Sequence, residues 1–313
     1  MELGLNGKHV IVTGGGTNIG RAIVHAFGAE GSKISIAELV PEQGDKVAAE
    51  VVAMNTGAVV NVIPTDVTDT AKVATMIEAA IDRFGPVDVL VNNVGWTVDR
   101  LFMEKPRSEW EREVQVNLWG AINCIHGVLP GMIEREAGAI ICISSDAGRM
   151  GEYREAVYSA CKAGVIALSK SVARETGRYG LRLNVVCPGL VVPPEEEDIS
   201  GESMWTEMRS IFTEEVKEKV ERNYLFRRMG KASEVANAVV FLSSDAASFI
   251  TGQTLSVSGG YTMMCWLEKC DPDLDCADIC ALVLDFDGTA IDGNGVAELV
   301  AIGGVVGSAQ TVI

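Results

Sequence analysis

The stretch VTGGGTNIGRA, Val12–Ala22, decides the fold. It lies between a short apolar run ending at Val12 and a segment with helical character. A turn this rich in glycine lets successive backbone N–H groups converge on an anion, with the helix N-terminus behind them. The Walker A pattern needs Gly, four residues, then Gly-Lys-Ser/Thr; Gly15 and Gly20 have the spacing, but Arg21 and Ala22 stand where the lysine and hydroxyl belong. The G-x-G-x-x-G pattern fails as well, because Ile19 falls on its last glycine. What remains is Thr13-Gly14-x-x-x-Asn18-x-Gly20. Asparagine tolerates left-handed backbone angles and has a short hydrogen-bonding amide, so Asn18 is expected to replace a glycine and to cap the helix.

Around this turn, apolar runs alternate with longer amphipathic stretches. HVIVT, KISIAE, VVNVI, VDVLV, AIICIS, LRLNVV and TLSVS read as buried strands rich in Val and Ile. Helical patterns lie between them, such as 41–54 and 70–84, the second introduced by the N-cap types Thr68 and Asp69. Such alternation predicts an α/β fold, a Rossmann-like doubly wound parallel sheet with ligands at the C-terminal strand ends. The 313 residues suffice for one such domain and an extra piece. The expected division is a catalytic domain over 1–261 and an acidic, cysteine-containing appendage over 262–313.

The formal net charge of −17 argues against nucleic acid or an anionic membrane as partner. No basic-then-apolar leader opens the chain, and no uncharged apolar run of about 20 residues is evident. A cytoplasmic protein is expected, with its eight cysteines as thiols. No metal site is expected.

Two further signals concern chemistry. Glu38 ends the second strand, about 20 residues past the turn, where a carboxylate binds the hydroxyls of an adenine ribose and repels a 2′-phosphate. That predicts NAD rather than NADP. In YSACK, Tyr158 and Lys162 are spaced i, i+4 on one helix face, and the lysine is expected to lower the phenol's pKa. Ser145 lies at the C-terminal end of the AIICIS strand, on the ligand edge of the sheet, with Ser144 facing the other side of the pleat.

Taken together, these motifs resemble the short-chain dehydrogenase/reductase family over about residues 5–261. The glycine turn resembles the family's T-G-x-x-x-G-x-G, with Asn18 in place of the middle glycine. NNVG at 92–95 resembles N-N-A-G, Asp66–Val67 the pair contacting adenine, and NVVCPGL at 184–190 the turn lining the nicotinamide. The resemblance implies Asn117, Ser145, Tyr158 and Lys162 as catalytic residues. It implies a cofactor site including Gly14, Asn18, Ile19, Gly20, Glu38, Asp66, Val67, Asn93, Gly95, Tyr158, Lys162, Pro188, Gly189 and Val191. Ser145 would hold the substrate oxygen, Tyr158 exchange the proton, Lys162 hold the nicotinamide ribose and Asn117 pass the proton on through water. Pro193 replaces a threonine that holds the carboxamide, leaving that contact to the backbone of Val191, and Ser258 replaces a common acid. A homotetramer is implied.

The activity implied is NAD-dependent interconversion of a secondary alcohol and a ketone. The stretches NNVGW, SSDAGRMGE and EAVYSACK are most similar to the branch of 2-hydroxycyclohexanecarboxyl-CoA dehydrogenase, pointing to a bulky, apolar or cyclic substrate or a hydroxyacyl-CoA thioester. The alternative is a 3-oxoacyl thioester reductase. A different class, a nucleotide-binding subunit without catalysis, is opposed by the intact Ser145, Tyr158 and Lys162. A lid is expected over 193–227, with Met204, Trp205, Met208 and Phe212 as its apolar face; Trp96 and Tyr153 would border the same pocket. The acidic run Glu195–Asp198 suits a CoA phosphate only if it points outward. In the appendage, Cys265, Cys270, Cys276 and Cys280 lack zinc-knuckle spacing. LVLDFDGT resembles a phosphatase nucleophile loop with Asp285 and Asp287, but too few residues follow for that domain.

Overall fold

The computed structural model describes residues 2–194, 199 and 202–263, together with the backbone of two short strands further on. The elements, in order, are β1 (His9–Thr13), α1 (Asn18–Ala29), β2 (Lys33–Glu38), α2 (Pro41–Ala53), β3 (Val59–Pro64), α3 (Thr70–Phe84) and β4 (Val89–Asn92). They continue with α4 (Arg107–Val114), α5 (Gly120–Glu134), β5 (Ala139–Ile143), α6 (Ala147–Met150), α7 (Ala156–Thr176) and β6 (Arg182–Pro188). The last are α8 (Trp205–Met208), α9 (Glu214–Glu221), α10 (Ala232–Ser243) and β7 (Thr254–Val257). Residues 1–262 form one compact unit and 263–313 a second, in which β8 (Val283–Leu284) pairs antiparallel with β9 (Ala290–Ile291). The four appendage cysteines, Asp285 and Asp287, and the acidic run 195–198 fall outside the described residues.

The seven strands pair in parallel in the order β3-β2-β1-β4-β5-β6-β7. Side chains alternate across the pleat. Val10, Val12, Val89, Val91 and Ile141 enter the core shared with α1 and α10, while Ile11, Leu90 and Ile140 enter the core under α3, α5 and α7. Burial on both faces explains why these strands read as unbroken apolar runs. On α1, the buried residues Gly20, Ile23, Val24, Phe27 and Gly28 follow helical spacing and make one contiguous stripe. Asp69 caps α3 by accepting from the N–H groups of Ala71 (2.9 Å) and Lys72 (3.2 Å), a device worth about 1 kcal/mol.

The chain order reverses between β1 and β4. The loops after these two strands therefore part there and leave a crevice. One sequence expectation needs correction. The continuous helix 107–134 is long and apolar enough to cross a membrane by length and composition alone. Here its apolar side is used within the fold, with Cys124, Ile125, Val128 and Met132 buried against the sheet.

Candidate active site

The crevice opens into a cavity of about 530 Å³ running from the glycine turn to Tyr158 and to Met204, Trp205 and Met208. At its first end the turn is made largely by backbone. Gly14 has φ +64° and Asn18 φ +42°. A Cβ on Gly20 would fall 1.9 Å from the carbonyl oxygen of Gly14 and 2.6 Å from Nδ2 of Asn93. That amide locks the turn to β4, donating to the carbonyls of Thr13 (3.1 Å) and Gly14 (2.9 Å), and Thr13 Oγ1 accepts from Asn93 N at 3.0 Å. Asn93 of NNVG is thus a clamp on the neighbouring turn, whereas Asn92 turns to Cys142.

Asn18 takes the left-handed angles expected of it but does not cap α1; Thr17 occupies the cap position, with no side-chain cap bond. Its Nδ2 instead donates to Val191 O at 2.9 Å, bridging the turn to the segment after β6. One lone pair of the Val191 carbonyl is therefore taken up by Asn18, and its second lone pair and its N–H are left for the cofactor contact expected of this residue's backbone.

Glu38 lies in the cavity wall, with Oε2 accepting from Gly16 N (2.8 Å) and Oε1 from Leu39 N (2.9 Å). Burial raises its pKa above the ordinary glutamate value, against the lowering by these bonds. Arg21 pairs with Glu50 of α2 at 3.0 Å. Asp66, Val67, Gly95, Pro188 and Gly189 also line the cavity.

At the other end Ser145 and Tyr158 both line the cavity, and the serine hydroxyl lies near enough to the phenol to lower its pKa. Ser144, one residue earlier, turns away to donate to Lys162 O at 2.8 Å. Lys162 is 3% exposed; its Nζ donates to Ile143 O at 3.0 Å and lies 5.5 Å from the Tyr158 ring centre. The expected lowering of the phenol's pKa by Lys162 is not what the surroundings produce. Desolvation and the nearby Glu155 carboxyl push Tyr158 above its ordinary value, with Ser145 pulling the other way. The lysine itself is pushed down to about 8, mainly by burial. Glu155 is raised to about 8 by burial and by its neighbour Asp99.

Asn117 sits in a turn of π-helix, Gln115–Trp119, between α4 and α5. Its Nδ2 donates to Trp96 O (2.7 Å) and Glu113 O (2.9 Å), and its Oδ1 accepts from Trp96 N (3.1 Å). The side chain is therefore committed to holding the loop after NNVG, and a relay at this position would run through the backbone. A cavity of about 10 Å³, near the size that holds one water, touches Asn117, Lys162, Thr13 and Cys142.

The end of the cavity away from the glycine turn is walled by side chains. Trp96, Tyr153, Met204, Trp205, Met208 and Phe212 all line the cavity. Trp205 and Met208 are buried, and Trp205 lies 6.0 Å from Phe212 between ring centres. The sequence reading missed the other wall. Asp146, next to Ser145, accepts from Ser256 Oγ and from Thr262 Oγ1 (2.6 Å), and Tyr261 OH donates to Glu152 Oε2 at 2.5 Å. Tyr224 stacks on Tyr261 at 5.0 Å and accepts from Leu190 N at 2.8 Å. These polar residues lie far apart in the chain, and no local spacing announces them.

A nicotinamide dinucleotide fits this arrangement. The turn is closed to any Cβ at Gly20, and the turn and the Glu38 carboxylate line the same crevice. The family described as enoyl-(acyl carrier protein) reductase matches residues 15–262. The chain is 37% identical to an acetoacetyl-CoA reductase of Synechocystis sp., over 83% of this chain and 99% of the relative. It is 37% identical to a 3-oxoacyl-[acyl-carrier-protein] reductase of Staphylococcus aureus, over 82% of this chain and 98% of the relative. With the enzyme of that same name from Escherichia coli it shares 36% identity, over 84% of this chain and all of the relative.

Proposed function

Because the chain belongs to the short-chain dehydrogenase/reductase family, we propose that it reduces the ketone of a 3-oxoacyl thioester to the secondary alcohol. The observation that carries this reading is that Ser145, Tyr158 and Lys162 line one cavity, with the phenol pushed toward its protonated form by burial. Two hydroxyls in one cavity suit an oxygen that gains charge and then a proton, which describes a carbonyl better than a carbon–carbon double bond. The relatives named above reduce oxoacyl or acetoacetyl groups. This favours reduction over the alcohol oxidation suggested by the likeness to the 2-hydroxycyclohexanecarboxyl-CoA dehydrogenase branch.

Ser145 donates to the carbonyl oxygen and orients it. A bound nicotinamide dinucleotide supplies the reducing equivalent. Tyr158 delivers its proton to the same oxygen, and the ammonium of Lys162 stabilises the phenolate as that proton leaves. The Asn117 turn holds the Trp96 loop in place beside them. The lid side chains Met204, Trp205 and Met208 keep water from the reacting carbon.

NAD(H) is the preferred cofactor in this proposal. Glu38 would meet a 2′-phosphate with like charge, and the nearby Arg21 is engaged by Glu50. The relatives' oxidoreductase chemistry does not itself distinguish the two nicotinamide dinucleotides. A cytoplasmic homotetramer acting on a small molecule, without nucleic acid or membrane, completes the proposal.

The test is NADH and NADPH oxidation with acetoacetyl-CoA and with a 3-oxoacyl carrier-protein thioester. Turnover with either thioester supports the reading. Cofactor binding without turnover of any ketone would instead favour a nucleotide-binding subunit. Glu38→Ala should bring kcat/KM for the two cofactors about tenfold closer together, the scale of one lost charge contact. Equal kcat/KM for both cofactors in the unaltered enzyme would defeat the assignment to Glu38.

A further inference from the structure

The charges around the substrate end are uneven. Among the described residues lining the cavity, Glu38 and Asp66 are the acids toward the glycine turn, Asp99, Asp146, Glu152, Glu155 and Glu202 are the acids away from it, and the basic ones are Lys162 and Arg112. Lys162 is committed to Tyr158 and Ile143 O. Arg112 stands on α4 with its guanidinium carbon 4.2 Å from the centre of the Trp96 ring. One face of the guanidinium is thus covered, while its edge carries the hydrogen-bond donors. The acids of α4 are paired elsewhere: Glu109 with Arg100 (3.1 Å), Glu111 with Arg107 (2.9 Å) and the buried Glu113 with Lys105. Arg112 reaches Glu202 of the lid segment through Nη2 at 3.4 Å, a long contact between side chains that are 46% and 61% exposed. Hydrogen bonds at this distance are at the edge of the useful range, and an ion pair this exposed contributes little.

We propose that Arg112, braced on Trp96, is the residue that selects an oxyanion carried by the substrate, and that Glu202 holds its place until that oxyanion displaces it. A guanidinium edge takes a phosphate or carboxylate through two parallel bonds, which Glu202 does not make here. The oxyanion comes either from the phosphate of a pantetheine-type thioester or from a carboxylate at the far end of the acyl chain. The proposal rests on the thioester reductase reading for the identity of the reacting group, and on the Arg112 geometry alone for the anion.

Four probes separate these cases. Acetoacetyl-CoA carries phosphate. The N-acetylcysteamine thioester of acetoacetate has the same reacting ketone and no charge. The mono-N-acetylcysteamine thioester of 3-oxohexanedioate carries only a terminal carboxylate. Free CoA, titrated by the fluorescence lost in Trp96→Phe, reports anion binding without turnover.

Arg112→Gln should raise KM for one charged thioester about tenfold, with kcat within twofold and the neutral thioester unchanged. The affected probe identifies phosphate or carboxylate as the source. Glu202→Gln should lower the same KM severalfold. An equal change for charged and neutral thioesters in Arg112→Gln, or no change for either, overturns the proposal. If the unaltered enzyme reduces no thioester, the functional reading fails by itself. The anion site then stands or falls on whether Arg112→Gln weakens binding of free CoA or of hexanedioate, measured by fluorescence.

Discussion

The two ends of the cavity are built from different materials. At the turn, the wall is main chain: Gly14 and Gly20 in contact, Asn93 bonded to two carbonyls, and Asn18 at φ +42°. Across the cavity the wall is side chain: Trp96 under Arg112, Trp205 near Phe212, Tyr224 on Tyr261, and Asp146 joined to Thr262. Main-chain geometry leaves few residue choices, whereas a side-chain wall can be rebuilt by substitution. In the proposed reading the first end serves a cofactor shared by many enzymes, and the second is free to follow one substrate.

The largest effect belongs where the ends meet. Tyr158→Phe should lower turnover by about 10²–10⁴-fold, the usual cost of losing a general acid. NADH affinity should stay within a few-fold, because the turn and Glu38 are untouched. Near-normal turnover would remove Tyr158 from the chemistry and separate the two ends.

Gly20→Ala probes the main-chain wall. Its Cβ would overlap Gly14 O at 1.9 Å, so the turn must open. NADH binding, followed by fluorescence, should be lost, and melting should come at lower temperature. An unaffected Kd would show that the turn yields as easily as the side-chain wall.

A smaller, graded effect comes from pH. Burial disfavours the charged form of Lys162 and brings its pKa down to about 8. The ammonium is therefore present below that value and lost above it, so kcat/KM for reduction should fall as pH rises through about 8. Lys162→Arg should move that limb upward whatever its effect on the plateau. A profile flat through pH 9 to 10, a window chosen to lie roughly one or two units above the lysine's value, would remove the charge of Lys162 from the mechanism.

The smallest effect expected lies at the end of the catalytic unit. Thr262→Val removes the 2.6 Å bond to Asp146, the neighbour of Ser145. The substrate KM should rise a few-fold with NADH affinity and melting temperature unchanged, on the scale of one hydrogen bond of about 1 kcal/mol. Ending the chain after Tyr261 should do the same, and ending it after Met263 should not. Equal loss of NADH affinity in either case would mean that the substrate wall supports the cofactor wall.

The same division explains what could be read from the amino acids alone. The strands β1 and β2 were legible because burial on both faces demands runs that are almost wholly apolar, with Ser35 of β2 the interruption, hydrogen-bonded to His9 and Asn61. Thr13, Gly14, Gly20, Ser145, Tyr158 and Lys162 were legible because a turn or a helix face requires them at short range. Asn18 was half legible: its backbone angle follows from its residue type, but its bond to Val191 joins residues far apart in the chain. Asp146, Tyr261 and Thr262 were illegible for that same reason. The pKa of Tyr158 was misjudged because neighbouring Lys162 is visible in the sequence, whereas the desolvation of the phenol is not.

The wide turn Gln115–Trp119 works as a phase shifter in an otherwise regular helix. A normal α-helix advances about 100° per residue, and a π-turn absorbs one extra residue within a single loop of backbone. The stripe before it can therefore be aimed at the Trp96 loop through Glu113 and Asn117, while the stripe after it is aimed at the sheet through Cys124, Val128 and Met132. An inserted residue elsewhere in this helix would rotate one stripe out of place. Here the offset is confined, and the end of the helix that holds the Trp96 loop is clocked independently of the end that packs on the sheet.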